Sequence, residues 1–173
     1  VEKNIKLLSD AKNISPDKLT ACVLKRPRHD HIVDSLNSMG VKINYISDGD
    51  ILGVISVANP KSNIDIYLGI GGGPEGVLAA AALSCLDSQM QARLLFQNDD
   101  EKNRAKKIGI KNLNTKYDMN DMVEGDVIFC ATGVTDGNLV KGIKDYGDSF
   151  EAETFVLHKS TNTNKIIKNK IKK

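Results

Sequence analysis

The chain changes from strand to helix at residues 69–77, which read Gly-Ile-Gly-Gly-Gly-Pro-Glu-Gly-Val. The apolar run 64–68 before this stretch predicts a strand, and the alanine-rich run 77–86 after it predicts a helix. Glycines let the backbone approach a ligand closely, and the N–H groups of a helix's first turn have no partner inside the helix. The stretch therefore predicts an anion site, with Pro74 in the first helical turn.

Glu75 stands at the mouth of this turn, and two roles are open to it. A carboxylate in the first turn is favoured by the helix dipole, so Glu75 could simply cap the helix. The same position would allow a metal ion to bridge the protein and a bound phosphate. The spacing alone slightly favours the capping role.

Composition indicates an ordinary soluble globular protein and sets limits on its partners. The chain has 173 residues, 40% of them hydrophobic and 27% charged, so we expect a single domain over residues 1–173. The net charge of +2 is too small to indicate a nucleic-acid partner, and no apolar run is long enough to span a membrane. Basic residues concentrate in 160–173, which we interpret as a solvated, frayed tail rather than a nucleic-acid or membrane patch.

Three cysteines, Cys22, Cys85 and Cys130, are widely spaced and each lies in an apolar run. They lack metal-ligand spacing, and an odd number cannot all pair. We therefore expect buried thiols in a reducing, cytoplasmic environment. No signal peptide is visible, and the chain starts at Val1 without an initiator methionine, which leaves room for residues upstream.

Strands alternate with helices along the chain, which predicts the α/β class with a mixed sheet flanked by helices. Ligands of such sheets bind beyond the carboxyl ends of the strands, where four candidate loops fall. Residues 90–96 are ambiguous between helix and strand. Predicted helices span 2–12, 30–39, 51–58, 77–86 and 99–108; predicted strands span 19–24, 41–46, 64–68, 126–131, 154–159 and 165–171; the candidate loops are 25–29, 47–50, 69–75 and 132–137.

The first candidate loop carries three cations, Lys25, Arg26 and Arg28, stiffened by Pro27. Guanidinium groups bind phosphate oxygens in a bidentate manner, so the loop could hold a phosphate; a solvated loop is the equally plausible alternative. The two histidines at 29 and 31 lie two residues apart and would face different directions, so we interpret them as surface residues rather than metal ligands.

The other loops are chemically weaker signals. Asp48-Gly49-Asp50 could coordinate a divalent cation or accept hydrogen bonds from sugar hydroxyls, but it would equally form a turn and an N-cap. The glycine turn lacks the acidic partner of a dinucleotide-binding motif and the lysine of a P-loop. Residues 132–137 could form a polar cluster, although a turn after a buried strand is the simpler interpretation.

Taken together, these loops resemble the C-terminal half of the class II (GlpX-type) fructose-1,6-bisphosphatases. The resemblance covers nearly the whole chain, with the segments in family order, and the Gly-Gly-x-Pro-Glu-Gly-Val-Leu-Ala-Ala-Ala element is highly specific. The matching segments are Lys25–His29, Asp48–Asp50, Gly71–Ala81, Met90–Leu94 and Ala131–Gly137.

The resemblance implies a sugar phosphatase of the lithium-sensitive phosphatase superfamily. Such an enzyme uses Mn²⁺ or Mg²⁺ to hydrolyse the 1-phosphate of fructose 1,6-bisphosphate in gluconeogenesis, giving fructose 6-phosphate and phosphate. Some members also act on sedoheptulose 1,7-bisphosphate. By the same resemblance, Glu75 matches a metal ligand, and the substrate-binding residues are Arg26, Pro27, Arg28, Asp48, Gly49, Asp50 and Gly72.

The departures from the family define what this chain is expected to do. Most of the family's metal ligands, including an Asp-Pro-x-Glu-Gly-Thr-type segment, belong to its N-terminal half and have no counterpart in these residues. Asp87-Ser88 replaces two family glycines, and Lys165 stands near a family arginine. We therefore expect the substrate-binding half of an enzyme, with no catalytic residue of its own, partnered by the missing half or by a homo-oligomer. A non-catalytic sugar-phosphate-binding module or decayed remnant is the alternative, and a nucleotide-dependent enzyme a weaker third.

Overall fold

The computed structural model describes residues 1–137 and 139–173. These residues fall into two compact units, Val1–Glu75 and Gly76–Lys173, each described by itself below. The expectation of one domain over the whole chain stays a prediction. The helices are α1 (Glu2–Lys12), α2 (Asp30–Ser38), α3 (Asp50–Val57), α4 (Gly73–Ser84), α5 (Asp99–Lys107) and α6 (Met119–Met122); the strands are β1 (Thr20–Leu24), β2 (Lys42–Ile46), β3 (Ile66–Tyr67), β4 (Gln91–Arg93), β5 (Lys116–Asp118), β6 (Ile128–Thr132), β7 (Lys144–Asp145), β8 (Ser149–His158) and β9 (Thr163–Lys172).

The first unit is built on a three-stranded parallel sheet in the order β2-β1-β3. Helices α2 and α3 make the two connections between its strands, which is the alternation that the sequence predicts. All three strands therefore end at the same edge of the sheet, so the loops that follow them are neighbours.

Both faces of the central strand β1 are covered. Ala21 and Val23 on one face of β1 pack with Ile5 of α1 and Leu36 of α2 in a buried apolar core. Because side chains alternate along a strand, Cys22 and Leu24 point to the other face, where α3 packs. Burial on both faces explains why β1 reads as a continuous apolar run.

The second unit is mainly antiparallel. Strand β8 is central: it pairs with β6 and β7 on one side and with β9 on the other. Strands β4 and β5 form a separate antiparallel pair, which places the ambiguous segment 90–96 partly in a strand. The mixed α/β class is thus confirmed, but the described strands form one parallel and two antiparallel sheets instead of the expected single mixed sheet.

Two expectations about the second unit are wrong. Residues Thr163–Lys172 of the basic segment form a ten-residue strand paired along the whole of β8, so they are not a frayed tail. The strand interpretation of this segment is correct. Cys130 is exposed, because β6 has one covered and one open face and its side chains alternate between them. Cys22 and Cys85 are buried as expected.

No helix among the described residues is long and apolar enough to cross a membrane.

Candidate functional site at the carboxyl edge of the parallel sheet

Three of the four candidate loops lie at one place. Residues 25–29 follow β1, residues 47–50 follow β2 and residues 69–75 follow β3, all at the carboxyl edge of the parallel sheet. The fourth loop, 132–137, follows β6 in an antiparallel sheet of the second unit. There the Asp136 carboxylate accepts a hydrogen bond from the Gly142 N–H at 2.9 Å.

The loop after β1 reaches toward both neighbouring loops through its arginines. Arg26 lies before a short 3₁₀-helix, Pro27–His29, and its Nη1 donates to the carbonyls of Lys25 at 2.8 Å and Ser47 at 3.0 Å. Arg28 is exposed, and its Nε donates to the Ile70 carbonyl at 2.7 Å. The two guanidinium groups thus link β1's loop to the loop after β2 and to the glycine turn.

His29 contradicts its predicted surface position. Its side chain is 1% exposed, whereas His31 is exposed as expected. Nδ1 lies 2.6 Å from the Leu24 carbonyl, which can only accept, so Nδ1 carries the proton and donates. Nε2 lies 2.9 Å from the Ile70 nitrogen and 3.0 Å from the Ile70 carbonyl oxygen. In the neutral ring with its proton on Nδ1, Nε2 accepts from the Ile70 N–H. The imidazole therefore joins the end of β1 to the middle of the glycine turn.

The acidic loop after β2 combines a turn with a helix start. Gly49 has a φ of 74°, in the left-handed region that favours glycine, and it lies immediately before α3. Asp48 Oδ1 accepts the Gly49 N–H at 2.9 Å, and Asp50 Oδ1 accepts the Ile51 N–H at 2.9 Å. One oxygen of each carboxylate is thus engaged by the backbone.

The glycine turn brings the carboxylates of two loops close to its backbone. A Cβ at Gly72 would lie 2.3 Å from Glu75 Oε2, so the Glu75 carboxylate folds back over a position that only glycine leaves open. A Cβ at Gly71 would lie 3.8 Å from Asp50 Oδ2, an ordinary contact distance. The turn, Glu75 and the acidic loop therefore share one small region, in which Gly72 and Glu75 are exposed.

Tyr67 at the end of β3 is a site residue that sequence reasoning missed. Burial raises the pKa of Tyr67 to about 12; the nearby Asp50 carboxylate adds to this rise, and Arg28 opposes it. A Cβ at Gly69 would lie 3.1 Å from the Tyr67 hydroxyl oxygen. The phenol thus stays protonated and lies against the first glycine of the turn. Its position as the last residue of a strand at this edge was the available signal.

A cleft of about 630 Å³ opens beside the arginine loop. Of the predicted substrate-binding and metal-binding residues, only Arg26 and Pro27 line this cleft. Those that do not line it are Arg28, Asp48, Gly49, Asp50, Gly72 and Glu75. The cleft is lined by Leu24, Lys25, Arg26, Pro27, His29, Asp30, Val33 and Tyr45.

The donor chemistry fits only part of a divalent-metal site. A carboxylate such as Glu75 suits Mg²⁺ or Mn²⁺, but these ions need several oxygen ligands. Within residues 1–137 and 139–173, no three histidine, cysteine, aspartate or glutamate side chains converge on one point. The described residues therefore supply only part of the oxygen ligands that such an ion needs.

Comparisons with known proteins identify the family of this chain. Residues 1–171 match the family model described as bacterial fructose-1,6-bisphosphatase, glpX-encoded. The fructose-1,6-bisphosphatase class 2 of Haemophilus influenzae is 36% identical over 94% of this chain and 53% of its own length. Two proteins named D-fructose 1,6-bisphosphatase class 2/sedoheptulose 1,7-bisphosphatase match 95% of this chain and 52% of their own length: that of Synechocystis sp. at 32% identity and that of Microcystis aeruginosa at 31%. The chain spans about half the length of these curated relatives, and it belongs to the bacterial, glpX-encoded fructose-1,6-bisphosphatase family.

Proposed function

We propose that this chain is the substrate-binding half of a class II fructose-1,6-bisphosphatase. The complete enzyme hydrolyses the 1-phosphate of fructose 1,6-bisphosphate to fructose 6-phosphate and phosphate, in gluconeogenesis and in the cytoplasm. The observation that carries this proposal is the meeting of the arginine, acidic and glycine loops at one sheet edge, in a chain of this family. The lithium-sensitive phosphatase type of fold is part of the proposal.

The arginine loop supplies the positive charge that a sugar phosphate needs. Arg28 uses Nε for the Ile70 carbonyl, and both of its Nη groups lack a hydrogen-bond partner among the described residues. Since guanidinium binds phosphate oxygens through such N–H groups, Arg28 can be held by the turn and still bind the ligand. Arg26 and Pro27 follow β1 and line the cleft, and they restrict the backbone next to Arg28.

The acidic loop is suited to the sugar. The Oδ1 atoms of Asp48 and Asp50 already accept backbone N–H groups, which fixes each carboxylate and leaves its second oxygen to accept from sugar hydroxyls. Gly49 gives the loop its left-handed turn, and Gly72 lets a ligand approach the backbone. The proposed substrate-binding residues thus come from the arginine loop, the acidic loop and the glycine turn.

Glu75 is the residue that we propose as a metal ligand. Mn²⁺ or Mg²⁺, held jointly with carboxylates of the missing half, would polarise a phosphoryl oxygen and lower the pKa of a bound water. The contribution of this chain is to present the Glu75 carboxylate beside the glycine turn. Because a Cβ at Gly72 would occupy the place of Oε2, Gly72→Ala must displace that carboxylate, whereas Gly71→Ala meets only an ordinary contact.

This difference gives a matched test of the Glu75 role. We expect Gly72→Ala to raise the Mn²⁺ concentration for half-maximal turnover by about tenfold in an enzyme reconstituted with the N-terminal half. Gly71→Ala should leave it nearly unchanged, and Glu75→Gln should abolish metal-dependent turnover. Full activity of Glu75→Gln would rule out the metal role.

The experiment that tests the proposed function is binding of fructose 6-phosphate to the purified chain, measured by calorimetry. Arg28→Gln is compared with Lys42→Gln, which removes the same charge from an exposed residue at the opposite end of β2. A hydrogen bond to a charged group contributes about 1.5–3 kcal/mol, so Arg28→Gln should weaken binding at least tenfold and Lys42→Gln less than twofold. Equal effects would show that binding is nonspecific.

Under this proposal, catalysis requires a partner that supplies the missing catalytic residues. Phosphate release from fructose 1,6-bisphosphate should appear when the N-terminal half of a family member is added with Mn²⁺ or Mg²⁺, and a chelator should stop it. A homo-oligomer that is active alone would assign the partner role to a second copy of this chain.

A non-catalytic sugar-phosphate-binding module is the second candidate. It is favoured by the bonds that hold the loops, since these bonds all join residues within the unit Val1–Glu75. In this case fructose 6-phosphate would bind equally well with a chelator present, and adding the N-terminal half would yield no phosphate release.

A further inference from the structure

Ile70 is held on both sides by the arginine loop, although its neighbours in the sequence are mostly glycines. Its N–H is bonded to His29 at 2.9 Å, and its carbonyl is bonded to Arg28 at 2.7 Å. The residues around it are Gly69, Gly71, Gly72 and Gly73, whose backbones have the greatest conformational freedom. Without anchors this stretch would have to be ordered each time a ligand binds.

His29 is buried, whereas residues 25–28 before it are not. It is 1% exposed, and both of its ring nitrogens have backbone partners, Leu24 on one side and Ile70 on the other. Burying an imidazole is favourable only when its nitrogens are satisfied, and here the partners lie 5 and 41 residues away in the sequence. The ring therefore sets the position of the turn relative to the rigid end of β1.

We infer that His29 is a positioning residue, which accepts the Ile70 N–H and thereby holds the glycine turn in the shape that binds the sugar phosphate. This inference rests on the proposed function, since the turn is taken to be a ligand-binding element. His29 itself touches no substrate and acts through Ile70. By fixing the backbone at Ile70, it also fixes the directions of the N–H groups of the glycines that follow. The loss of this one bond should weaken fructose 6-phosphate binding without removing any group that contacts the ligand.

Two conservative variants separate the two bonds of the ring. The amide of an asparagine reaches the place of Nδ1, so His29→Asn keeps the Leu24 bond and loses the Ile70 bond. The longer glutamine places its amide oxygen near Nε2, so His29→Gln keeps the Ile70 bond and loses the Leu24 bond. Each variant loses one buried hydrogen bond, and their thermal stabilities should therefore fall by similar amounts.

The expected result is a split between the variants. His29→Asn should bind fructose 6-phosphate about tenfold more weakly than the wild type, a change of about 1.4 kcal/mol, and its Ile70 amide should exchange with deuterium at least tenfold faster. His29→Gln should remain within about threefold of the wild type in both measurements. Equal loss of affinity in both variants, or unchanged affinity in His29→Asn, would overturn the inference.

A measurement on the unmodified protein guards against variants that do not fold. The bonds require the neutral tautomer with the proton on Nδ1, which the ¹⁵N shifts of the His29 ring report directly. A proton on Nε2, in the neutral or in the doubly protonated ring, would overturn the inference, because that nitrogen would donate to the Ile70 carbonyl at 3.0 Å instead of accepting from the Ile70 N–H. The wild-type chain could also bind no fructose 6-phosphate although the tautomer and the Ile70 protection are as expected. In that case the proposed function fails, and the bond between His29 and Ile70 has only a structural role.

Discussion

Replacing Gly53 with alanine tests how tightly helix α3 packs against the sheet that carries the site. Gly53 is buried in α3, and an added Cβ would lie 2.7 Å from Ile46 Cδ1 and 3.0 Å from Tyr67 Cε2. The distance to Ile46 is shorter than real Cβ contacts, and the distance to Tyr67 is tighter than most of them, so the two side chains or the helix must move. Overpacking of this kind costs about 1–3 kcal/mol, and the gain in helix propensity from glycine to alanine returns about 1 kcal/mol. We therefore expect a net loss of about 1 kcal/mol.

Gly76→Ala is the matched control. Gly76 also lies in a helix, α4, but an added Cβ there meets nothing within 4 Å. The same change should stabilise this site by about 0.5–1 kcal/mol, because only the propensity term remains. For a chain of this length, 1 kcal/mol shifts Tm by about 2–4 °C, so thermal unfolding followed by circular dichroism should move the two variants in opposite directions.

The outcome also bears on the site. The ring that Gly53→Ala must displace belongs to Tyr67, whose hydroxyl lies against Gly69 of the glycine turn. Gly53→Ala should thus weaken fructose 6-phosphate binding, while Gly76→Ala should not change it through this contact. If Gly53→Ala is as stable as the wild type, or if it follows Gly76→Ala, the close packing of α3 on β3 is refuted.

Three further predictions concern the second unit. Asp87 has a left-handed φ of 50°, so Asp87→Gly should stabilise the chain by about 0.5–1 kcal/mol in urea unfolding, whereas Ser88→Gly should not. The hydrogen bond from His158 lowers the pKa of Asp126 from 3.8 to about 2, so its contribution to stability is present above pH 4 and lost as the pH falls toward 2. Acid unfolding should accordingly be steeper across that window in the wild type than in Asp126→Asn. Cys130 is exposed and should react with a thiol reagent at once. Burial raises the pKa of the Cys22 and Cys85 thiols, so these two should react only on unfolding. Rapid reaction of all three cysteines in the folded protein would contradict the fold.

The sequence predicted the parallel unit well because its signals are local. Strand β1 is covered on both faces, so it appears as an uninterrupted apolar run, and the helices that follow β1 and β2 show clear periodicity. Once the strands are parallel, the chain itself places the ends of 25–29, 47–50 and 69–75 together. The meeting of these loops could therefore be predicted without any knowledge of side-chain contacts.

The antiparallel unit was predicted less well because similar patterns arise from different burial. Residues 127–131 look like the run in β1, yet β6 has one open face, which leaves Cys130 exposed. The lysines of β9 suggested a solvated tail, but lysine-rich sequences are also typical of edge strands, where they discourage pairing with other chains. Lys168 even pairs with the buried Glu153 at 2.7 Å, a partner that the sequence does not indicate.

His29 shows what a closer reading of periodicity could have recovered. It lies three residues before Ile32 and seven before Leu36, the two buried apolar residues of α2, and so it falls on the same helical stripe. His31 falls outside that stripe and is exposed. Periodicity could thus have separated the buried histidine from the exposed one. It could not have named Ile70 as the partner, because that bond depends on a turn 41 residues away that β3 places beside β1. The local pattern determines which side chain is buried, and the parallel pairing of the strands determines what that side chain holds.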